Sequence, residues 1–127
     1  MTLSRITLTG AGLMMLVVGA LHLVAPRMMM ATPGIELSSV NHLHIIRAAY
    51  GGAYLGIAAL FLLGLLRPAF ERLSLVAVMV LFSGFAAGRA VSLIVDGVPV
   101  ALYLGVLAFE VVFAALAARA LGSASSK

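Results

Sequence analysis

Cysteine is absent from the chain, and with it go disulfides, thiol nucleophiles and thiolate metal sites together. Charge is nearly absent as well. Asp, Glu, Lys and Arg make up 9% of the residues, and only four of these are acidic. A soluble domain carries about 25% charged and about 45 to 50% apolar residues. This chain is 64% apolar, with a mean hydropathy of +1.22. The solvent that suits such a composition is the interior of a bilayer.

What is present falls into four apolar segments, 6–25, 43–66, 73–95 and 100–121. Each is long enough to cross, because about 20 helical residues span a hydrocarbon core of about 30 Å. In lipid every backbone polar group must be satisfied inside the segment, so helices are the economical solution. The expected fold is an all-α membrane protein, a single domain over 1–127 built as a four-transmembrane-helix bundle. The first segment is long for the apolar stretch of a signal peptide and reads as a retained span. The second and third spans are joined by a tight turn, 67–72. The third and fourth are joined by Asp96, Gly97, Val98 and Pro99, with Gly past a helix end and Pro opening the next helix. Only the first connection, 26–41, is long. It carries Met28, Met29 and Met30, a Pro33-Gly34 turn, and two serines before Asn41 suited to capping the second span. The tail from Gly122 to Lys127 is small and polar, and reads as frayed.

The cations give the orientation. Four spans place both termini and the 67–72 turn on one side, with Arg5, Arg67, Arg72, Arg119 and Lys127, against Arg27 on the other. The positive-inside rule then puts both termini in the cytoplasm, and the location expected is a bacterial inner membrane. The formal charge of +4 is thus a topology signal. Nucleic acid is not an expected partner, since the cations are few and dispersed.

Against this background the polar residues inside the spans stand out, for an ionisable group in a span is costly unless it faces protein, water or a counter-ion. At a rise of 1.5 Å per residue, Arg47, Arg89 and Tyr103 fall in one layer toward the outer ends of their helices. Tyr50 is deeper, Glu110 is near the midplane, and His22, His44, Ser92 and Asp96 are nearer the outer surface. Helical phase gathers them into stripes. These are His44, Arg47, Tyr50, Gly51 and Tyr54; Phe85, Arg89, Ser92 and Asp96; Tyr103, Glu110 and Ala117; and His22 with Val18, Met15 and Ala11. The simplest bundle turns all four inward. Ala48, Gly52 and Gly56, and likewise Gly84, Gly88 and Ser92, recur every four residues. Small residues at this interval let helices approach in lipid, and packing within the bundle is expected of them.

The sequence Arg47-Ala-Ala-Tyr50-Gly51-Gly52, with Gly88-Arg89-Ala-Val-Ser92 and Asp96-Gly97-Val-Pro99, resembles a family of small bacterial four-helix membrane proteins known as a domain of unknown function. Its architecture is similar to that of DoxX-like proteins. The resemblance implies four spans and a polar cluster of Arg47, Tyr50, Arg89, Ser92 and Asp96, and it implies no reaction.

Two roles suit the cluster. Arg47 and Arg89 can pair with Glu110 and Asp96 as a neutral set that fixes helix register. Alternatively Arg47, Tyr50, Arg89, Ser92, Asp96, Tyr103 and Glu110 form a ligand site in which guanidiniums, tyrosines and a serine hold the head of a membrane lipid or isoprenoid quinone. A non-catalytic accessory subunit of a larger membrane complex, or self-association, is the alternative to a binding protein. A transporter would need polar residues reaching the inner face. His22, His42 and His44 lack the helical spacing of a metal site, and Met28 to Met30 read as interfacial filler. No cofactor is expected and no catalytic residues are assigned, because no nucleophile has a base at useful spacing.

Overall fold

The computed structural model describes residues 2–124. Lys127, one of the cations behind the orientation, lies outside the described residues with the rest of 125–127. Helix α1 spans Leu3–Val24, and the Thr2 side chain caps it by accepting from the Arg5 N–H. The long connection is not wholly loop. A short helix, α2, runs over Pro26–Ala31 with its proline in the first turn, where the missing N–H costs nothing. Gly34 follows with φ at +75°, the left-handed turn that a Pro-Gly pair permits. Helix α3 is Val40–Leu66. Of the two serines Ser39 is its cap, accepting from the His42 N–H at 3.2 Å.

A 3-10 turn, Pro68–Phe70, leads into α4, Glu71–Val95. Gly97, with φ at +99°, turns the chain toward α5, Ala101–Ala124. The expected fraying from Gly122 is not seen up to Ala124: Ser123 donates to the Arg119 carbonyl at 2.9 Å and the helix continues. Helices α1, α3, α4 and α5 are each long and apolar enough to cross a membrane, and among the described residues no strand occurs. The chain is an all-α, multi-pass membrane protein.

In the bundle α1 lies along α3, α3 against α4, α4 along α5, and α5 returns to α1. Leu8, Ala11, Phe61, Leu75, Val78 and Ala117 form the core with Phe82, whose ring meets those of Phe61 and Phe109 edge-on at 5.9 Å. This dry core occupies the end of the bundle that holds the N-terminus, the Pro68 turn and the end of α5, which also line one shared groove. It is not wholly apolar: buried Ser74 donates from α4 to the Leu60 carbonyl of α3 at 2.6 Å. Val17, Val80, Val91 and Val112 face outward, as lipid-exposed positions do.

The small-residue ridges do not pack the bundle. A Cβ added at Gly56, Gly84 or Gly88 would meet nothing within 4 Å, and one at Gly52 only the Arg47 carbonyl at 3.7 Å; Ala48 and Ser92 are exposed. The face of α4 turned to its neighbours carries Ser74, Leu75, Val78 and Phe82 instead. Close approach is made elsewhere. A Cβ at Gly19 of α1 would stand 3.0 Å from the Leu55 nitrogen, one at Gly51 of α3 3.1 Å from Leu23 backbone atoms, and one at Gly64 2.5 Å from the Ser74 side chain.

Candidate functional site

The close contact of α1 with α3 shapes the other end of the bundle. Within α3, Arg47–Gly52 is a turn of π-helix. Such turns insert a residue into the helical phase and occur often at functional sites. Gly51 within it lets α1 come backbone to backbone. Arg47 then reaches across, its Nε donating to the Leu23 carbonyl at 2.9 Å. Leu23 belongs to the last turn of α1, whose carbonyls have no partner within the helix. A cation there also suits the helix dipole. Arg47 therefore ties the end of α1 to α3, and it is exposed.

Inside that clasp lies His22, buried on α1. Its Nδ1 is 2.7 Å from the Val18 carbonyl. A carbonyl only accepts, so Nδ1 carries the hydrogen. The ring of Tyr50 stacks on the imidazole at 5.5 Å with 26° between planes, and Tyr54 meets it edge-on at 6.2 Å.

Opposite, α4 and α5 contribute the one ion pair among the described residues. Arg89 Nε donates to both oxygens of buried Glu110, at 3.0 and 2.9 Å. The guanidinium carbon lies 5.9 Å from the centre of the Tyr103 ring. No acceptor among the described residues takes the two terminal nitrogens of Arg89.

These groups line a half-open cavity of about 360 Å³, within the range of small-molecule sites. His22, Tyr50, Tyr54, Arg89, Tyr103 and Glu110, with Thr32 at its edge, are its polar lining, while Met14, Met15, Phe85 and Val106 supply apolar wall. The connection after α1 closes one end with Met29, Met30 and Pro33. Two of the three methionines read as interfacial filler thus belong to the cavity, and Met28 is exposed. A second groove of about 250 Å³, between α4 and α5, shares Arg89 and Tyr103 with the first and adds Ser92.

Four of the seven residues singled out in the sequence, Tyr50, Arg89, Tyr103 and Glu110, meet in one cavity. Ser92 lies in the adjoining groove and donates to Asp96 at 2.8 Å on the exposed end of α4. Arg47 lines neither. The neutral set of two arginines and two carboxylates is half formed: Arg89 pairs with Glu110, but Asp96 is held by Ser92 and Arg47 by a backbone carbonyl. His22 and Tyr54 were not among the seven, although both stand on inward stripes. The available signals were a lone polar ring on the apolar face of His22 and, for Tyr54, a place on the same stripe as Arg47 and Tyr50.

Over residues 3–121 the chain matches a family described as domain of unknown function DUF4345. The chain belongs to that family. No curated protein and no solved structure matches it. The chemistry open to this DUF4345 chain is that of the groups lining the cavity. Its donors are Arg89 and three tyrosine hydroxyls that have no hydrogen-bond partner among the described residues. Its acceptors are Glu110 and His22. Among the described residues no three His, Asp or Glu side chains group as a metal site.

Proposed function

We propose that this DUF4345 protein binds a lipid-like or isoprenoid-quinone-like amphiphile and does not turn it over. The head lies among Tyr50, Tyr54, Tyr103, Arg89 and Glu110, and the apolar tail leaves along the α4–α5 groove toward lipid. One observation carries the reading: unpartnered tyrosine hydroxyls and an ion pair whose carboxylate is buried converge on one mostly apolar cavity inside the membrane-spanning part. Polar groups there are costly unless something satisfies them. Native mass spectrometry of the purified chain in mild detergent tests it. A bound amphiphile is expected on the native chain and not on Val106→Trp, which fills the cavity.

The orientation we propose places the termini in the cytoplasm of a bacterial inner membrane and the cavity in the outer leaflet. Arg5, Arg67, Arg72 and Arg119 support it, all of them at the end opposite the cavity. Because the chain has no cysteine, Ser38→Cys gives a clean reporter in the 26–39 connection. It is expected to react with an impermeant maleimide on intact cells; labelling only after lysis would reverse the orientation.

A second reading, an accessory subunit of a larger membrane complex, is favoured by the outward stripe of Gly84 and Gly88, where nothing within 4 Å would obstruct a Cβ. A partner helix or a second copy seated there would appear in the same mass spectra.

A further inference from the structure

Glu110 cancels the charge that a guanidinium would otherwise offer a ligand, and this decides what kind of head group the cavity suits. Both carboxylate oxygens lie on Arg89 Nε, and Glu110 is buried. A phosphate or carboxylate head entering beside them meets no net positive charge. To take Arg89 for itself it must leave Glu110 buried without its partner, which is strongly unfavourable. An uncharged head meets no such obstacle, and the terminal nitrogens of Arg89 and the tyrosine hydroxyls remain able to donate to it.

His22 sets a further requirement. With Nδ1–H committed to the Val18 carbonyl, the neutral ring presents Nε2 as an acceptor. No protein donor among the described residues reaches Nε2, and no buried side-chain nitrogen or oxygen among them lacks a partner. Nε2 is therefore not sealed, and the ring lines the cavity. A lone pair in a mostly apolar cavity asks for a ligand hydrogen, because a site built to bond a hydroxyl discriminates against an analogue without it. The rings of Tyr50 and Tyr54, packed on the imidazole, make an aromatic wall of the cavity against which a flat head can lie.

We infer that the head group taken here is an uncharged hydroxylated ring, a phenol or hydroquinone, whose O–H donates to His22 Nε2. This rests on the amphiphile reading above and narrows it: a quinone in its oxidised form has carbonyls and no hydrogen to give, so the reduced form is preferred. His22 is the residue that sets this specificity.

Three probes with one tail separate the possibilities: 4-octylphenol, which donates; 4-octylanisole, which only accepts; and 4-octylbenzoate, which is anionic. Their affinities are measured by titration calorimetry on the full chain in dodecyl maltoside, native and His22→Phe. The phenol is expected to bind the native chain about tenfold more tightly than the anisole, and the benzoate more weakly than the phenol. In His22→Phe the phenol is expected to lose about tenfold while the anisole is unchanged, which also reports a folded variant. Should that variant fail to fold, the ranking on the native chain still decides. Equal binding of phenol and anisole, or tightest binding of the benzoate through a protonated imidazole, overturns this inference and leaves the amphiphile reading standing. Failure of all three to bind sinks both.

Discussion

Arg89→Gln is expected to destabilise the bundle by about 3 kcal/mol, at the lower end of the loss seen when one partner of a buried ion pair is removed. The lower end applies because the Arg89 side chain is 37% exposed while that of Glu110 is 5% exposed, so the larger part of the loss is the carboxylate left behind. Glu110→Gln should be milder, since the stranded guanidinium still reaches the cavity and the Tyr103 ring. The double variant should recover much of what Arg89→Gln loses, because no buried charge then remains. Unfolding by denaturing detergent, followed by circular dichroism, measures all three. Additive losses in the double variant would mean that the two side chains stabilise the bundle independently, and the pairing in the structure would then carry no energy.

The second large effect lies at the other end of the bundle, in the dry core. Gly64→Leu is expected to cost about 2 to 4 kcal/mol, from overpacking and a lost interhelical hydrogen bond together. The first side-chain carbon would stand 2.5 Å from Ser74 Cβ and Oγ, where the Ser74 hydroxyl donates to the Leu60 carbonyl. Either α3 and α4 part or that hydrogen bond breaks. Gly88→Leu is the reference and should change stability by no more than about 0.5 kcal/mol, as surface substitutions do, because open space surrounds that position. The two variants melting alike in detergent would contradict the packing described here.

Those two glycines show where sequence reasoning reaches and where it stops. Glycine at every fourth position marks a helix able to approach something closely, but does not say whether neighbour, partner or lipid is approached. Gly84 and Gly88 have the spacing and face outward; Gly19, Gly51 and Gly64 make the contacts. The four long helices were legible because length and hydropathy alone decide what can cross, with one end of each helix extending its apolar run by two or three residues. Helix α2 was not, since six residues are too few for a periodicity to show. The meeting of Arg89 with Glu110 was legible for another reason: a charge at membrane depth must be answered, and depth and phase left few candidates. Arg47 obeyed the same rule with an answer that no side-chain pattern reveals, the backbone carbonyl at the end of α1. The π turn that carries Arg47 and Tyr50 was hidden too, because stripes drawn at 100° per residue assume an unbroken α-helix.

The cavity between α1, α3, α4 and α5 is tested most directly by counting amphiphile molecules per chain in native mass spectra of the protein purified from its own membranes. The native chain and Arg47→Gln should each carry about one, because Arg47 lies outside the cavity. Val106→Trp should carry at least tenfold less while keeping its helical circular dichroism. Equal occupancy in all three, or loss in Arg47→Gln with retention in Val106→Trp, would contradict a binding site in this cavity.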